Sequence, residues 1–192
     1  YGQIDRVSRE APVLILGYDS SEVVPGGAGN AANNAAALGA RVTLVGAAGR
    51  DSAGTRLVAA LRPRANVAGI VRASGYVTPV KTRILAGGVH SAKQQVVRID
   101  RAGGRITPAI RRRVERALAD AIRRVDVVII SDYGSGLVTP ELWSRALALS
   151  RGRKPPLVLV DSRYALNGFT GMTACTPNEP EVEALLGVTL DD

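Results

Sequence analysis

The densest group of residues suited to chemistry is Pro25-Gly26-Gly27-Ala28-Gly29-Asn30-Ala31-Ala32-Asn33. Glycines let a backbone approach a ligand closely. An Ala-rich helix read over Asn30–Leu38 and stopped by Gly39 would turn its free N–H groups and positive dipole end toward the same place. Asn30 and Asn33 carry both donors and acceptors, which suits hydroxyl groups. Without a ligand, the same stretch is a tight turn and a helix packed closely on a sheet. It is not a P-loop, because Gly-Lys-Ser/Thr is absent, nor a dinucleotide fingerprint, because the third glycine is missing. Further on, Asp132 and Asp161 each close a strand-like run, and Asn178 and Glu181 stand at the start of a helix. By residue type alone Asp132 is equally a turn aspartate. Asn178 with Glu181 is equally a helix start favoured by the dipole.

The elements that must position these residues alternate between strand and helix. Strands are expected at Val13–Leu16 (with a turn at Gly17-Tyr18-Asp19), Val42–Val45, Val67–Val71, Val127–Ile130, Leu157–Val160 and Thr173–Cys175. A helix capped by Asp51 or Ser52 runs to Leu61 and stops at Pro63. Thr107-Pro108 and Thr139-Pro140 open helices to about Arg123 and Leu149, with Thr as cap and Pro in the first turn. A last helix spans Glu179–Leu186, followed by Gly187. This alternation predicts an α/β fold with a mainly parallel sheet whose inner strands are buried. Such sheets take ligands beyond the carboxyl ends of their strands, where the clusters after Val24, Ile130 and Val160 fall. Thr82–Ala86 and Gln95–Ile99 read differently: Val97 and Ile99 alternate with Arg98 and Asp100, the pattern of a half-exposed sheet. They predict a small appended sheet, a lid. Its cations Lys81, Arg83 and Arg98 would be, by default, a solvated face. Cys175 and Trp143 are expected in the core, and His90 in a surface loop.

Composition narrows the function classes. A chain of 192 residues suits one globular domain or most of a larger one. No apolar run is long enough to span a bilayer, and no basic-then-apolar leader is read at Tyr1. A single cysteine excludes an internal disulfide framework and fits a reducing cytoplasm. The net charge of +8 raises the question of nucleic acid. The arginines are scattered, however, with one cluster at Arg111-Arg112-Arg113, and aromatics at 4% are too few for base stacking. An anionic small-molecule substrate accounts for some of that charge equally well.

Gly26-Gly27-Ala28-Gly29-Asn30-Ala31-Ala32, followed by Gly39 and Gly49, resembles the first signature of the ribokinase-like (PfkB) carbohydrate kinases. Asn178-Glu179-Pro180-Glu181 is similar to that family's Asn-x-x-Glu motif. Four stretches resemble most the branch that phosphorylates D-glycero-D-manno-heptose 7-phosphate in ADP-heptose synthesis. They are Tyr1-Gly2 with Arg6 to Val13, Lys81-Thr82-Arg83 with Gln94 to Asp100, Ser131-Asp132-Tyr133-Gly134-x-Gly136, and Thr176-Pro177-Asn178. The resemblance implies a ribokinase-like α/β core from about 26–72 and 105–192 and a β lid from about 10–24 and 75–100. It implies ATP and Mg²⁺ as cofactors, and a homodimer through the lid. Gly27 and Asn30 would hold sugar hydroxyls. Lys81, Arg83 and Arg98 would grip the phosphate the sugar already carries, with Gln95 and Asp132 also on the substrate. Asp161, Asn178 and Glu181 would stand on the nucleotide side, Glu181 organising the Mg²⁺ shell through water.

The chain also departs from the family. The family's C-terminal Asp-Thr-x-Gly-Ala-Gly-Asp, which supplies the general base and the anion hole, is absent, so no catalytic base is assigned. Relatives begin with a strand ending in Gly-Asp that this sequence lacks. The resemblance therefore implies the middle of a kinase, unable to turn over alone, with unpaired edges beside the absent strand. Asp161-Ser162-Arg163 stands where the family has Asp-Pro-Lys, and Ser135 where heptose kinases carry Lys.

Overall fold

The structure is a computed structural model that describes residues 1–7, 14–87, 92–150 and 156–189. The predicted stretch around Glu10 to Val13 and the surface-loop residue His90 lie outside the described residues.

Three sheets form. A four-stranded one has the order β2-β1-β5-β6, from β1 (Gly2–Val7), β2 (Leu14–Tyr18), β5 (Val80–Gly87) and β6 (Gln94–Arg101). β1 runs antiparallel to β2 and parallel to β5, and β5 runs antiparallel to β6. This appended sheet is larger than the sequence reading, which gave no strand to Gly2–Val7 and turned the chain at Gly17-Tyr18. The second sheet pairs β3 (Val42–Gly49) with β4 (Ala65–Ala73) in parallel. The third has parallel β7 (Val127–Asp132), β8 (Leu157–Ser162) and β9 (Ala174–Cys175). The single parallel sheet expected from the sequence is thus two pieces, with no strand between them among the described residues. The open edges expected from the resemblance agree with this.

Helices hold the two pieces together. α1 (Ala28–Ala37) packs on both β3 and β7. α2 (Ser52–Leu61) packs on β3 and β4. α3 (Pro108–Ile122) covers β3 and β4 and meets α4 (Pro140–Leu149). α5 (Glu179–Leu186) ends at Gly187, whose φ of 67° is the left-handed C-cap that glycine takes at least cost. The threonine caps form as expected: Thr107 Oγ1 accepts from Ile110 N–H and Thr139 Oγ1 from Leu142 N–H.

Trp143 is the centre of one core, 2% exposed, packed with Ile122, Ala146, Val158, Val160, Leu166 and Phe169. Its Nε1–H donates to Thr170 O at 3.0 Å, so the indole is buried without an orphaned donor. Two sequence expectations are corrected here. β7 and β8 are buried on one face only: Val128, Ile130, Val158 and Val160 are packed, whereas Val127, Ile129, Leu157 and Leu159 are exposed. Cys175 is exposed, not core, because β9 is a two-residue edge strand paired on one side only.

The small sheet is tied to the core at its root. Gly49 N–H donates to Thr78 Oγ1 at 2.9 Å. Asp51, the N-cap of α2, accepts from Gly54 N–H and from the Thr78 hydroxyl on Oδ1, and from Thr78 N–H on Oδ2. These hydrogen bonds hold the Asp51 carboxyl at about 2, below the ordinary aspartate range. Gly49 has to be glycine, since a Cβ there would lie 2.2 Å from Tyr76 O. On the return path Gly104 N–H donates to Val77 O at 2.9 Å.

Candidate functional site

The glycine turn forms as read. Gly27 is the N-cap of α1 with φ 53°, a conformation that side chains resist. A Cβ on Gly27 would sit 3.7 Å from the Tyr133 ring, so the turn faces the end of β7. Gly29 is buried where a Cβ would come within 2.9 Å of Pro25 Cβ, which seats the first turn of α1 close to its neighbours. Asn30 is exposed at the open end of the helix. Asn33 Oδ1 is buried with no hydrogen-bond partner among the described residues, a cost that a donor from a ligand or another part of the protein would remove.

Asp132 is 5% exposed at the end of β7. Its Oδ1 accepts from Gly134 N–H and its Oδ2 from Ser162 Oγ–H, each at 2.9 Å. Each oxygen accepts one bond, which orients the carboxylate and holds the Gly134 turn while leaving acceptor capacity on both oxygens for the substrate contact expected. Ser162 was missed as a partner. It stands where the family proline was expected, and a buried hydroxyl next to a buried carboxylate was the available signal. Arg163, in the lysine place of the family pattern, lies over the Tyr164 ring at 5.5 Å.

Asp161, Asn178 and Glu181 come together. Asn178 caps α5: its Oδ1 accepts from Glu181 N–H while Glu181 Oε2 accepts from Asn178 N–H, each at 3.0 Å. This reciprocal box builds the Asn-x-x-Glu motif into the helix start. Burial pushes the Asp161 carboxyl up, and the charges of Glu181 and Asp132 push it further. Three carboxylates thus feel one another at the ends of β7 and β8. Among the described residues no three acids converge as a ready metal cage.

The cations of the small sheet share one face. Lys81 stands opposite Asp100 and Arg83 opposite Arg98 across the β5–β6 pair. A bulge leaves Val96 unpaired, because Ile84 pairs with Val97 but Leu85 with Gln95. It turns Gln95 onto the Arg83 and Arg98 face, where strict alternation would have put it on the other. Arg98 grips Asp100 in a fork, with Nε at 2.8 Å from Oδ1. That hydrogen bonding, helped by the charges of Arg98, Lys81 and Arg83, lowers the Asp100 carboxyl. One acid thus faces three cations, with two arginines directly opposed. Like charges placed so are destabilising unless an anion is shared.

The sequence pattern of the pfkB family carbohydrate kinases matches residues 4–192. The chain is 36% identical over 192 residues to the bifunctional protein HldE of Gluconobacter oxydans, covering 97% of this chain and 39% of that protein. It is 38% identical over 194 residues to the bifunctional protein HldE of Geobacter sulfurreducens, covering 100% of this chain and again 39% of that protein. The chain thus spans about two fifths of the length of these curated relatives. Among solved structures it is similar to Arabidopsis thaliana ribokinase complexed with ribose and ATP, with a TM-score of 0.64, 15% identity and coverage of 100% of this chain and 60% of the other. It is also similar to the tetrameric inhibited form of phosphofructokinase-2 from Escherichia coli, with a TM-score of 0.64, 19% identity and coverage of 100% and 61%. These likenesses confirm the ribokinase-like α/β fold, of which this chain covers a part. The sequence match runs through both the glycine turn and the Asn-x-x-Glu helix, and the chain belongs to the pfkB family of carbohydrate kinases.

Proposed function

We propose that this chain is the sugar-binding part of an ATP-dependent kinase that transfers the γ-phosphate of ATP to the anomeric hydroxyl of D-glycero-D-manno-heptose 7-phosphate, in ADP-heptose synthesis. The observation that carries the substrate class is the cationic face of the small sheet: Lys81, Arg83 and Arg98 with the single acid Asp100. A phosphate at that face would satisfy the opposed arginines, and Gln95 brings an amide to the same surface. The small sheet then acts as a lid over a sugar held by Gly27 and Asn30, with Asp132 setting the Tyr133–Gly134 turn beside it.

The 192 residues contain no Asp-Thr-x-Gly-Ala-Gly-Asp segment, so the reaction is proposed for the longer protein, with its base outside these residues. What these residues contribute is positioning and charge control, on which phosphoryl transfer depends. The donor set around Asp161 fits a hydrated Mg²⁺ ion. Glu181 keeps Oε1 outside the capping box, and a cation would offset the burial and the neighbouring charges that together raise Asp161. Bound there through water, Mg²⁺ would neutralise nucleotide phosphate charge. A dimer through the lid is supported by the opposite face of β6, where Val97 and Ile99 are exposed. A cytoplasmic setting is supported by the unpaired Cys175. No helix among the described residues is long and apolar enough to cross a membrane.

Two variants test the site in the full-length protein. Gly27→Val forces a branched side chain into a positive-φ position facing Tyr133 and is expected to raise the KM for the sugar roughly tenfold or more. Gly26→Ala, with open space at its Cβ, is expected to change little. Steady-state kinetics of the pair decides it, and equal effects would contradict the assignment of Gly27. Glu181→Gln keeps an oxygen for the cap on Asn178 but removes the charge. It is expected to lower kcat by roughly ten- to a hundredfold with the sugar KM unchanged. It should also lower the pKa of Asp161, because one of the charges raising it is gone. Unchanged kcat across a Mg²⁺ titration would remove Glu181 from the nucleotide side.

A further inference from the structure

A cavity of about 360 Å³ opens at the carboxyl ends of β3 and β4, lined by Arg50, Arg72, Arg105 and Arg113. None of the residues discussed for sugar or nucleotide lines it. Among the described residues none of the four arginines has a carboxylate within ion-pair distance. Arg72 is fixed in place: its Nε donates to Gly49 O at 2.9 Å and its Nη2 to Thr55 Oγ1 at 3.1 Å. Arg50 and Arg105 are exposed at the rim, and their side chains make no hydrogen bond within the described residues. The wall is completed by Thr107 and Ala109, at the start of α3, a 15-residue helix with no acid in its first turn. Helix dipole and guanidinium groups therefore favour negative charge in the same space.

We propose that this cavity binds a small anion carrying at least two phosphate groups. Four guanidinium groups without a carboxylate partner among the described residues exceed what one phosphate neutralises, and the volume lies in the range of small-molecule sites. The position gives the anion a consequence. Ser74 and Gly75, which lead into the small sheet, and Arg105 and Thr107, which lead out of it, both line the cavity. A bound polyphosphate would brace the two connections against β3 and α3, and so restrain the lid root fastened by Asp51 and Thr78. The binding does not depend on the proposed kinase reaction.

The test is calorimetric titration of the full-length gene product with pyrophosphate and with inorganic phosphate, repeated on Arg50→Gln/Arg105→Gln. These two side chains support no described contact, so the fold should survive, and a circular dichroism melt checks it. Pyrophosphate is expected to bind more tightly than phosphate and to lose roughly tenfold or more in affinity in the variant. Hydrogen exchange at 74–79 and 102–107 should slow on binding in the wild type only. Equal affinity in both proteins, or protection confined to the cationic face at 81–100, would overturn the proposal. So would absence of pyrophosphate binding at millimolar concentration. Retention of a single-stranded oligonucleotide that needs Arg50 and Arg105 but is not displaced by pyrophosphate would also overturn it, in favour of a nucleic-acid backbone.

Discussion

Replacing Lys81 and Arg98 together by alanine is expected to raise the KM for a sugar phosphate roughly a hundredfold, and to leave turnover of a neutral sugar unchanged. Each charge-assisted contact to phosphate on such an exposed sheet is expected to contribute roughly tenfold in affinity. Two such losses give the hundredfold figure. Both residues lie on β strands, which hold them in register, and neither supports a packed core. Arg98 leaves Asp100 without its fork in the variant, so Lys81→Ala alone is the cleaner single change. It should account for about half of the effect in free energy. Steady-state kinetics with phosphorylated and unphosphorylated forms of one sugar measures this. An equal rise for both forms would mean that the cations shape the lid and do not read the phosphate.

The second large effect concerns stability. Asp51→Ala is expected to cost about 3 kcal/mol in chemical denaturation, because it strands Gly54 N–H, Thr78 N–H and the Thr78 hydroxyl. Asp51→Asn should cost nearly as much. An amide can accept from Gly54 and the Thr78 hydroxyl, but its NH₂ then meets Thr78 N–H, donor against donor. The pH dependence follows from the depressed carboxyl. The folded value of about 2 lies below the unfolded one near ~3.9. The stabilisation is therefore complete above about pH 4 and is lost as pH falls toward about pH 2. The wild type should lose stability through that window more steeply than either variant. Parallel slopes for wild type and Asp51→Ala would show that the root of the small sheet is held by other contacts.

The sequence made some of this legible and hid the rest for physical reasons. Helix starts were readable because Asp51, Thr107, Thr139 and Asn178 are local caps whose partners lie three residues away. The glycine turn was readable because Gly27 takes a φ that other residues resist. The alternation of Arg98 and Asp100 with Val97 and Ile99 located the strand, but the half-exposed face it implied is corrected: every residue of the strand is exposed. Non-local facts were not readable. The pairing of β1 with β5 joins residues some eighty positions apart. The Val96 bulge that turns Gln95 is a matter of register, which composition does not record. Nothing local marks Thr78 as the partner that Asp51 meets across the fold, twenty-seven positions away. Apolar runs such as Val127–Ile130 suggested burial on both faces, but among the described residues one face stays exposed. Asp132 was readable as polar and near the ligand region, though its engagement with Ser162 depends on two strand ends meeting side by side.

The central claim is that the cationic face reads a phosphorylated sugar for an ATP-dependent kinase. The most direct measurement is ATP consumption by the full-length gene product with D-glycero-D-manno-heptose 7-phosphate beside ribose, fructose and fructose 6-phosphate. The account predicts turnover with the heptose phosphate, far weaker turnover with fructose 6-phosphate, and the weakest with the two neutral sugars. Turnover with ribose or fructose and none with either sugar phosphate would contradict it.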